Sequence, residues 1–485
     1  GDLLVSGIEY DSRRVSGGEL FIAVRGLTTD GHLYVNEARQ RGAVAALVEE
    51  PVTSGGLPEF VVADTRHAMG VVAHDFYDRP CETLTVHGIT GTNGKTTTSY
   101  LVDSIFRKAG LTTGVVGTLG YRVGDELFEG ERTSPESLDL ARILSSMVRA
   151  GVRAVTMEVS SHALALERTA GAKFDSATFT NISRDHLDFH GTFEQYAAAK
   201  RMLFEQMAGE GWKEGATAVV NIDDELGVLI AEEVRSLPNL ALITYGSDGD
   251  VRAENVSTGA EGTCAVFRTP KGDFDVRLSL ISDFNVVNAL AATGVATAAG
   301  IDTDAIRKGL EAVTRVDGRM ETVNAGQDFT IIVDYAHTPD ALKRVLSTLR
   351  RLNAGRIITV FGCGGDRDRG KRPMMGEIAA IGSDAVIVTS DNPRNEEPSA
   401  IIDEILEGIE PGPAAKRIEV VEDRREAIER AINEALTGDI VLIAGKGHED
   451  YQIIGVERTH FDDREEAALA VARSGRGSDG EGSVN

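Results

Sequence analysis

The stretch TLTVHGITGTNGKTTTSYL, residues 83–101, decides how the rest of the chain is read. Its first part, TLTVHGI (83–89), is a β-branched apolar run of strand length, and it passes through a glycine loop into a helix-like segment. A strand, a glycine loop and a helix in that order aim consecutive backbone N–H groups and the positive helix end at one point, which suits phosphate oxygens. Gly91, Thr92, Asn93 and Gly94 then form the cradle, Lys95 reaches the β- and γ-phosphates, and Thr96, followed by Thr97, offers its hydroxyl to Mg²⁺. The strict GxxxxGK[ST] spacing is not met, because its first glycine would fall on Ile89. A tight strand–helix turn is the competing reading. Gly91, Gly94, Lys95 and Thr96 together, in this context, favour a nucleotide triphosphate site.

Outward from this stretch, short apolar runs alternate with helix-like segments, the pattern of parallel sheets covered by helices. RAVTMEV (153–159), FDSATFT (174–180), FTIIVDY (329–335), RIITVFG (356–362), DAVIVTS (384–390) and DIVLIAG (439–445) are the other clear strands. They fall in two groups, separated by a less regular stretch and an alanine-rich helix around 285–299. Residues 1–80 form a smaller α/β unit with ELFIAVRG (19–26) and AVAALVEE (43–50) as strands. Boundaries near Pro80 and Val316 give three domains, 1–82, 83–316 and 317–472, which agrees with 485 residues at roughly 150 per domain. Residues 473–485, mostly SGRGSDGEGSVN, read as a disordered tail.

Fifty lysines and arginines against 76 aspartates and glutamates give a formal charge of −26. That excludes the basic face of a general nucleic-acid binder and a polybasic patch for anionic lipid. No run of about 18 apolar residues exists, so no spanning helix or membrane insertion is expected. The start, GDLLVSGIEYDSRR, lacks the basic and apolar segments of a secretory signal. Cys81, Cys264 and Cys363 are far apart with no CxxC pair, which fits a reducing cytoplasm and neither a disulfide framework nor a cysteine zinc site.

Unusual polar residues sit where the strands end: the glycine loop after 89, Glu158, Asn181 with His186, Asp334, Gly364 to Asp366, Asp391, and Gly445 to Glu449. Ligands of open α/β sheets bind at the carboxyl ends of strands, so two sheets are expected to face a common cleft. Glu158 ends an apolar strand and can complete Mg²⁺ coordination beside Thr96, or serve as a paired structural acid. Asn181, Asp185, His186, Asp188 and His190 crowd another strand end, as a capped turn or, beside a phosphate loop, as a metal and substrate site.

The helix GTFEQYAAAKRMLFEQM (191–207) opens with Thr192 as N-cap and Gln195 three residues later. Its apolar stripe runs through Phe193, Tyr196, Ala197, Phe204 and Met207, and Lys200 lies on that stripe. A buried ammonium is costly unless paired or modified. An ordinary lysine would snorkel to the surface; the polar cluster just upstream points instead to a functional lysine.

These residues belong to motifs that occur in order: GITGTNGKTT (88–97), MEVSSHAL (157–164), TNISRDHLDFHG (180–191), YAAAKRMLF (196–204), FNVVNALAA (284–292), GRME (318–321), VDYAHTPD (333–340), FGCGGDRDRGKRP (361–373), DNPRNEEP (391–398) and GKGHEDYQ (445–452). They resemble the Mur ligases of peptidoglycan synthesis, and DSRRVSGGELFIAVRGLTTDGH (11–32) is similar to that family's UDP-binding domain. The resemblance implies an α/β, three-domain architecture with a P-loop-type central parallel sheet and a Rossmann-like C-terminal domain. It implies an ATP-dependent ligase in which a D-glutamyl carboxylate attacks the γ-phosphate, and an amine then displaces phosphate from the acyl phosphate. Such a ligase would be a cytoplasmic monomer serving cell wall biogenesis, cell shape and cell division.

Carried onto this chain, the resemblance makes Lys95 the phosphate lysine and Thr96 with Glu158 a first Mg²⁺ site. His186 matches the ligand of a second Mg²⁺, and Lys200 the lysine that carbon dioxide converts to a carbamate, a metal-binding anion. Asn288, Arg319, Asp334 and His337 match ATP contacts. Ser12, Thr133, Ser134, Ser160 and Arg168 match contacts to UDP-N-acetylmuramoyl-L-alanyl-D-glutamate. Thr133-Ser134 stands where members often carry Thr-Thr, and Leu166 where some have glutamine.

DNPR (391–394) resembles the signature of members that add meso-diaminopimelate. Arg394 offers a bidentate fork to the distal carboxylate that lysine lacks. Arg367, Asp391, Asn392, Pro393, Gly445 and Glu449 match the remaining contacts, with Glu449 suited to a distal ammonium. DNPR as a mere turn accounts for Asn-Pro but not for the arginine. The alternatives are the same ligase acting on L-lysine, a folylpolyglutamate synthase-like ligase, and a P-loop protein that hydrolyses ATP to change conformation. Cys363 reads as a small residue in a tight loop rather than a nucleophile. His32, His67, His74 and His460 read as surface or packing residues.

Overall fold

The computed structural model describes residues 3–476 except 27–28, 54, 131, 210, 260–261, 353–354 and 411–416. Of the expected tail, Arg473 ends a helix capped by Ser474, and residues 477–485 lie outside the described residues.

The strand Thr85–Thr90 lies inside an eight-stranded sheet ordered Ala241–Tyr245, Thr217–Asn221, Ser176–Phe179, Thr85–Thr90, Ala154–Glu158, Thr113–Gly117, Gly120–Val123 and Glu126–Phe128. The first six are parallel and the last two add an antiparallel ribbon. Both faces of the parallel part are covered, which is why its strands are nearly unbroken apolar runs. One face packs Val86, Val155 and Phe179 against Leu144 and Leu203 from helices. The other packs Ala154 and Val219 against Leu101, Ile105, Ala292 and Leu310. The alanine-rich helix is Asp283–Ala298, and its small side chains let it lie close to the phosphate-loop helix Lys95–Lys108.

A six-stranded sheet follows, ordered Glu321–Val323, Thr330–Asp334, Ile440–Ala444, Ile357–Phe361, Ala385–Val388 and Arg417–Val420. Only its first pair is antiparallel. The N-terminal unit carries a four-stranded parallel sheet, Gly7–Glu9, Glu19–Ile22, Ala45–Val48 and Glu59–Val61. All seven strands expected in the two larger sheets are present. Among the described residues no helix is long and apolar enough to cross a membrane.

Two expectations are corrected. The less regular stretch before the alanine-rich helix contains Thr217–Asn221 and Ala241–Tyr245, plus an antiparallel sheet of Arg252–Gly259, Gly262–Arg268 and Phe274–Leu278. Arg252–Gly259 exposes most of its length and Gly262–Arg268 alternates buried with less buried positions, so their apolar signal is diluted. In the helix Phe193–Met207 the buried stripe is Tyr196, Ala199, Lys200, Leu203, Phe204 and Met207. Phe193, the first helical residue, is exposed, with an edge-on ring contact to Tyr196.

Candidate active site

The phosphate loop is held open by two glycines that no other residue can replace without strain. Gly91 has φ +148°, and a Cβ there would sit 1.8 Å from Thr180 Oγ1. Gly94 has φ +86° at the cap of the helix, and its Cβ would meet Asn288 Oδ1 at 2.3 Å. The loop is pinned to the neighbouring strand end: Thr92 N donates to Asn181 O, Asn93 N to Asn181 Oδ1, and Thr180 Oγ1 to Asn93 O. Lys95 Nζ donates to the carbonyls of Gly91 and Thr92, both at 2.8 Å. Burial lowers its pKa, with Glu158 and Asp185 opposing.

Thr96 joins the two large units. Its hydroxyl donates to Glu158 Oε2 at 3.0 Å and accepts from Arg319 Nη2 at 3.0 Å. Glu158 is buried and also accepts from Thr118 N and Oγ1. Thr96 and Glu158 thus present hard oxygen donors at the loop, a set that fits Mg²⁺. Arg319 stacks on Tyr335. Burial pushes the Asp334 carboxyl up to about 6, although Arg319 and the N–H of Met320 pull it down. His337 shares Nδ1 with Tyr335 O at 2.8 Å, so that nitrogen carries the proton and Nε2 faces Asp185, 3.8 Å away.

These groups line a cavity of about 340 Å³ that brings together Thr92 to Thr97, Thr133, Glu158, Ser160, His186, Asn288, Arg319, Asp334 and His337. Its lining also includes an apolar slot made by Phe284 and Val287 of one helix and Ala341 and Val345 of Pro339–Arg351. Sequence reading missed this slot. Each residue looks like ordinary core on its own helix, and only Asn288 signalled the place.

A second cavity, about 180 Å³, is lined by Arg367, Asp391, Arg394 and Gly445 and by Cys363 and Lys371. It shares Asp185, His186, Tyr335 and His337 with the first. Arg394 has φ +52° and donates from Nη1 to Gly365 O; Asn392 Nδ2 donates to Glu449 Oε2 at 2.8 Å. Cys363 is buried beside Met375, and burial pushes its thiol up to about 12, which disfavours the thiolate a nucleophile needs.

In the shared wall, burial raises the Asp185 carboxyl, but the surrounding His186, Lys371 and His337 outweigh it and hold it below the usual range. Burial pushes His186 down to about 3, so its imidazole is neutral, with Nε2 3.2 Å from Asp185. His162, which the sequence did not single out, packs edge-on against His186 with ring centres 4.7 Å apart.

Lys200 lines neither cavity. It is 1% exposed, with Nζ 4.4 Å from the centre of the Tyr196 ring. Tyr196 in turn shares a hydrogen bond with Thr92 Oγ1 of the phosphate loop. Among the described residues no carboxylate pairs with Lys200, and burial, reinforced by Lys95, holds its pKa well below the usual lysine value. Among the described residues no three histidine, cysteine or acidic side chains converge as a metal site.

Of the remaining residues, Ser134 and Arg168 line neither cavity. Ser134 Oγ bonds Glu158 O and Ser160 N, and Ser160 caps Ser161–Ala165, which ends at Leu166. Arg168 pairs with Glu136, which also takes Arg66 and Arg132. Ser12 is buried in the N-terminal unit and lines neither cavity. His32 and His74 are buried, while the exposed His67 and His460 contact Glu167 and Glu465.

Two α/β units that share a phosphate loop, an arginine reaching across to it and a second polar cavity define an ATP-using ligase fold. The Mur ligase middle domain matches residues 89–296, the Mur ligase glutamate ligase domain 318–447, and the Mur ligase family catalytic domain 4–77; the chain belongs to the Mur ligase family. A Geobacter metallireducens protein named UDP-N-acetylmuramoyl-L-alanyl-D-glutamate–2,6-diaminopimelate ligase is 47% identical, over 96% of this chain and 94% of its own length. A Bacillus licheniformis protein of the same name is 45% identical over 96% and 94%. A solved structure of that ligase aligns with TM-score 0.68 at 35% identity, covering 97% and 95% of the two chains. The fold is also that of the Thermotoga maritima MurF ligase in complex with ADP, at TM-score 0.62, 20% identity and 98% of each chain.

Proposed function

We propose that this chain is an ATP-dependent ligase that adds meso-2,6-diaminopimelate to UDP-N-acetylmuramoyl-L-alanyl-D-glutamate, releasing ADP and phosphate. The observation that carries the reading is the shared wall. A phosphate cradle and a cavity with two arginines meet at Asp185, His186, Tyr335 and His337, so a carboxylate activated on one side can meet an amine on the other. The relatives' names supply the substrates.

In this reading 1–82 holds the UDP end through Ser12, 83–316 carries the ATP chemistry, and 317–472 captures the amino acid. The apolar slot takes the adenine ring, with Asn288 at its edge, and the loop N–H groups hold the phosphates. Lys95 swings from the Gly91 and Thr92 carbonyls onto the β- and γ-phosphates. Thr133, Ser134, Ser160 and Arg168 place the D-glutamyl carboxylate in line with the γ-phosphorus. Arg319 and His337, from the C-terminal unit, close over the nucleotide while Asp334 fixes the Met320 backbone. Thr96 and Glu158 would hold one Mg²⁺, and His186 with the Lys200 carbamate a second; Mg²⁺ bound there neutralises charge on the phosphoryl oxygens. The amine, positioned by Arg367, Asp391, Asn392, Pro393, Arg394 and Gly445 with Glu449 on the distal ammonium, then attacks the acyl carbon; the C–N bond forms, the tetrahedral adduct expels inorganic phosphate, and the amine gives up a proton. Phosphoryl transfer depends on positioning and charge more than on covalent help, which these groups supply.

The unprotonated amine is the form that adds carbon dioxide; burial and Lys95 lower the Lys200 pKa against the pull of Asp185 and Asp224, which favours that form, and no carboxylate among the described residues pairs with it. We place the enzyme in the cytoplasm as a monomer. The test supplies ATP, Mg²⁺, UDP-N-acetylmuramoyl-L-alanyl-D-glutamate and a panel of amino acids and measures phosphate and tripeptide. Product with lysine but not meso-diaminopimelate would overturn the substrate assignment, and phosphate without an acceptor would favour a conformational ATPase.

A further inference from the structure

Lys446 is 0% exposed, one of the largest fully buried side chains of the molecule. A buried ammonium needs partners that offset its lost hydration. Its hydrogen-bonding partners among the described residues are Asn392 Oδ1 at 3.2 Å and Glu449 Oε2 at 3.4 Å, and it lies 5.4 Å from the Tyr451 ring centre. Asn392 and Glu449 are themselves joined, Nδ2 to Oε2 at 2.8 Å. The three side chains form a closed triangle in which both donors use the same carboxylate oxygen. Glu449 Oε1 has no partner among the described residues.

We propose that Lys446 is a positioning residue for amino-acid specificity: it clamps Asn392 and Oε2 of Glu449 so that Oε1 is presented, as an anion, to the distal ammonium of the incoming diamino acid. This rests on the proposed ligase reading and deepens it. Arg394 and Glu449 then read opposite ends of one distal zwitterion, a carboxylate by a guanidinium and an ammonium by a carboxylate. The same clamp steadies the arginine loop. Asn392 Oδ1 also accepts from Ile453 N, Gln452 Nε2 donates to Asp391 O, and the Arg394 backbone bonds Ile453 O and Gly455 N of the hairpin that follows.

The electrostatics give Lys446 its necessity. Burial raises the Glu449 pKa, and Asp391 raises it further; Lys446 and the Asn392 amide oppose both. Arg394 from the loop after Ala385–Val388, Arg424 and Tyr335 from neighbouring elements, and Tyr451 also face Glu449. Replacing the ammonium with an apolar group of similar length leaves Glu449 beside Asp391 without its adjacent cation. Glu449 then protonates at higher pH and loses its hold on an ammonium.

The test is Lys446→Met in the full chain, assayed with meso-diaminopimelate and with 2-aminopimelate, which lacks the distal amine. The account expects KM for meso-diaminopimelate to rise about 10- to 100-fold, the scale of a lost charge-assisted bond. KM for ATP stays within twofold, and the preference over 2-aminopimelate collapses. The variant's kcat/KM for meso-diaminopimelate should climb with pH across a range where the unaltered enzyme is flat. Adding Glu449→Gln should remove that climb. Unchanged preference and a flat profile in Lys446→Met, with the unaltered enzyme making tripeptide, overturn the proposal. Failure of the unaltered enzyme to make tripeptide overturns the ligase reading instead. If Lys446→Met fails to fold, Asn392→Asp keeps the side-chain shape and adds a second anion to the triangle. It should produce the same pH climb, and a flat profile there also overturns the proposal.

Discussion

Replacing Lys200 separates its chemistry from its packing, because the two respond differently to methionine and alanine. The side chain is 1% exposed, it shares the buried face of its helix with Tyr196, Leu203 and Phe204, and its Nζ has no carboxylate partner among the described residues. Lys200→Ala removes three buried methylenes at about 0.8 kcal/mol each, and with the residual cavity the loss should be about 2–4 kcal/mol. Lys200→Met keeps a stem of similar length and deletes the amine. Burial and Lys95 hold the Lys200 pKa well below its ordinary value. The unfolded chain therefore binds a proton that the folded chain does not, and stability of the unaltered protein rises with pH towards the ordinary lysine range. In buffer free of carbon dioxide, Lys200→Met should be at least as stable as the unaltered protein at pH 7, and its advantage should shrink towards pH 10. Both variants should lose ligase activity by more than about 100-fold, the scale of a removed charge-stabilising group. Urea unfolding, phosphate release and ¹³C NMR of protein equilibrated with labelled bicarbonate read out the three quantities. A carbamate carbon signal should appear in the unaltered protein and be absent from both variants. Activity within twofold of normal in Lys200→Met, or a stability loss as large as that of Lys200→Ala, would refute the reasoning.

Three further outcomes follow from the geometry. Arg424 and Asp463 are fully buried and paired through two bonds of 2.7 Å, so Asp463→Asn should strip about 3–5 kcal/mol from hydrogen-exchange protection of Ile440–Ala444; a loss under 1 kcal/mol contradicts this. Burial pushes His87 down to about 4, with Nε2 unpartnered among the described residues and the ring against Phe106. The unfolded chain takes up that proton from about pH 6.5, so stability present above 6.5 is lost as pH falls to 4. The loss is about 3 kcal/mol at 1.36 per unit; His87→Phe should flatten this window measurably, and an unchanged slope sinks the assignment. Arg394→Met should raise KM for meso-diaminopimelate about 10- to 100-fold with ATP unaffected, and a parallel rise in KM for ATP would place Arg394 elsewhere.

What the sequence could reveal depended on whether a residue's role was local. The phosphate loop was legible because strand, glycines, lysine and threonine are contiguous, and Gly91 and Gly94 stand where their φ values and the crowding by Thr180 and Asn288 require. Lys200 was legible because a charge on an apolar stripe contradicts its surroundings. The apolar slot was not, since Phe284 and Val345, 61 positions apart on helices of different units, come to line one cavity only in the folded chain. Lys446 appeared only inside the strand-end run Gly445 to Glu449, and its tie to Asn392 spans 54 positions. The antiparallel sheet of 252–278 escaped because strands with an exposed face lack the unbroken apolar run that marked the parallel ones.

The most direct test of the account is formation of the tripeptide itself. Purified protein given ATP, Mg²⁺, UDP-N-acetylmuramoyl-L-alanyl-D-glutamate and either meso-diaminopimelate or L-lysine should yield one product and one phosphate per turnover with meso-diaminopimelate, and little with lysine. Equal or greater product with lysine, or phosphate released at the same rate with no amino acid present, would contradict it.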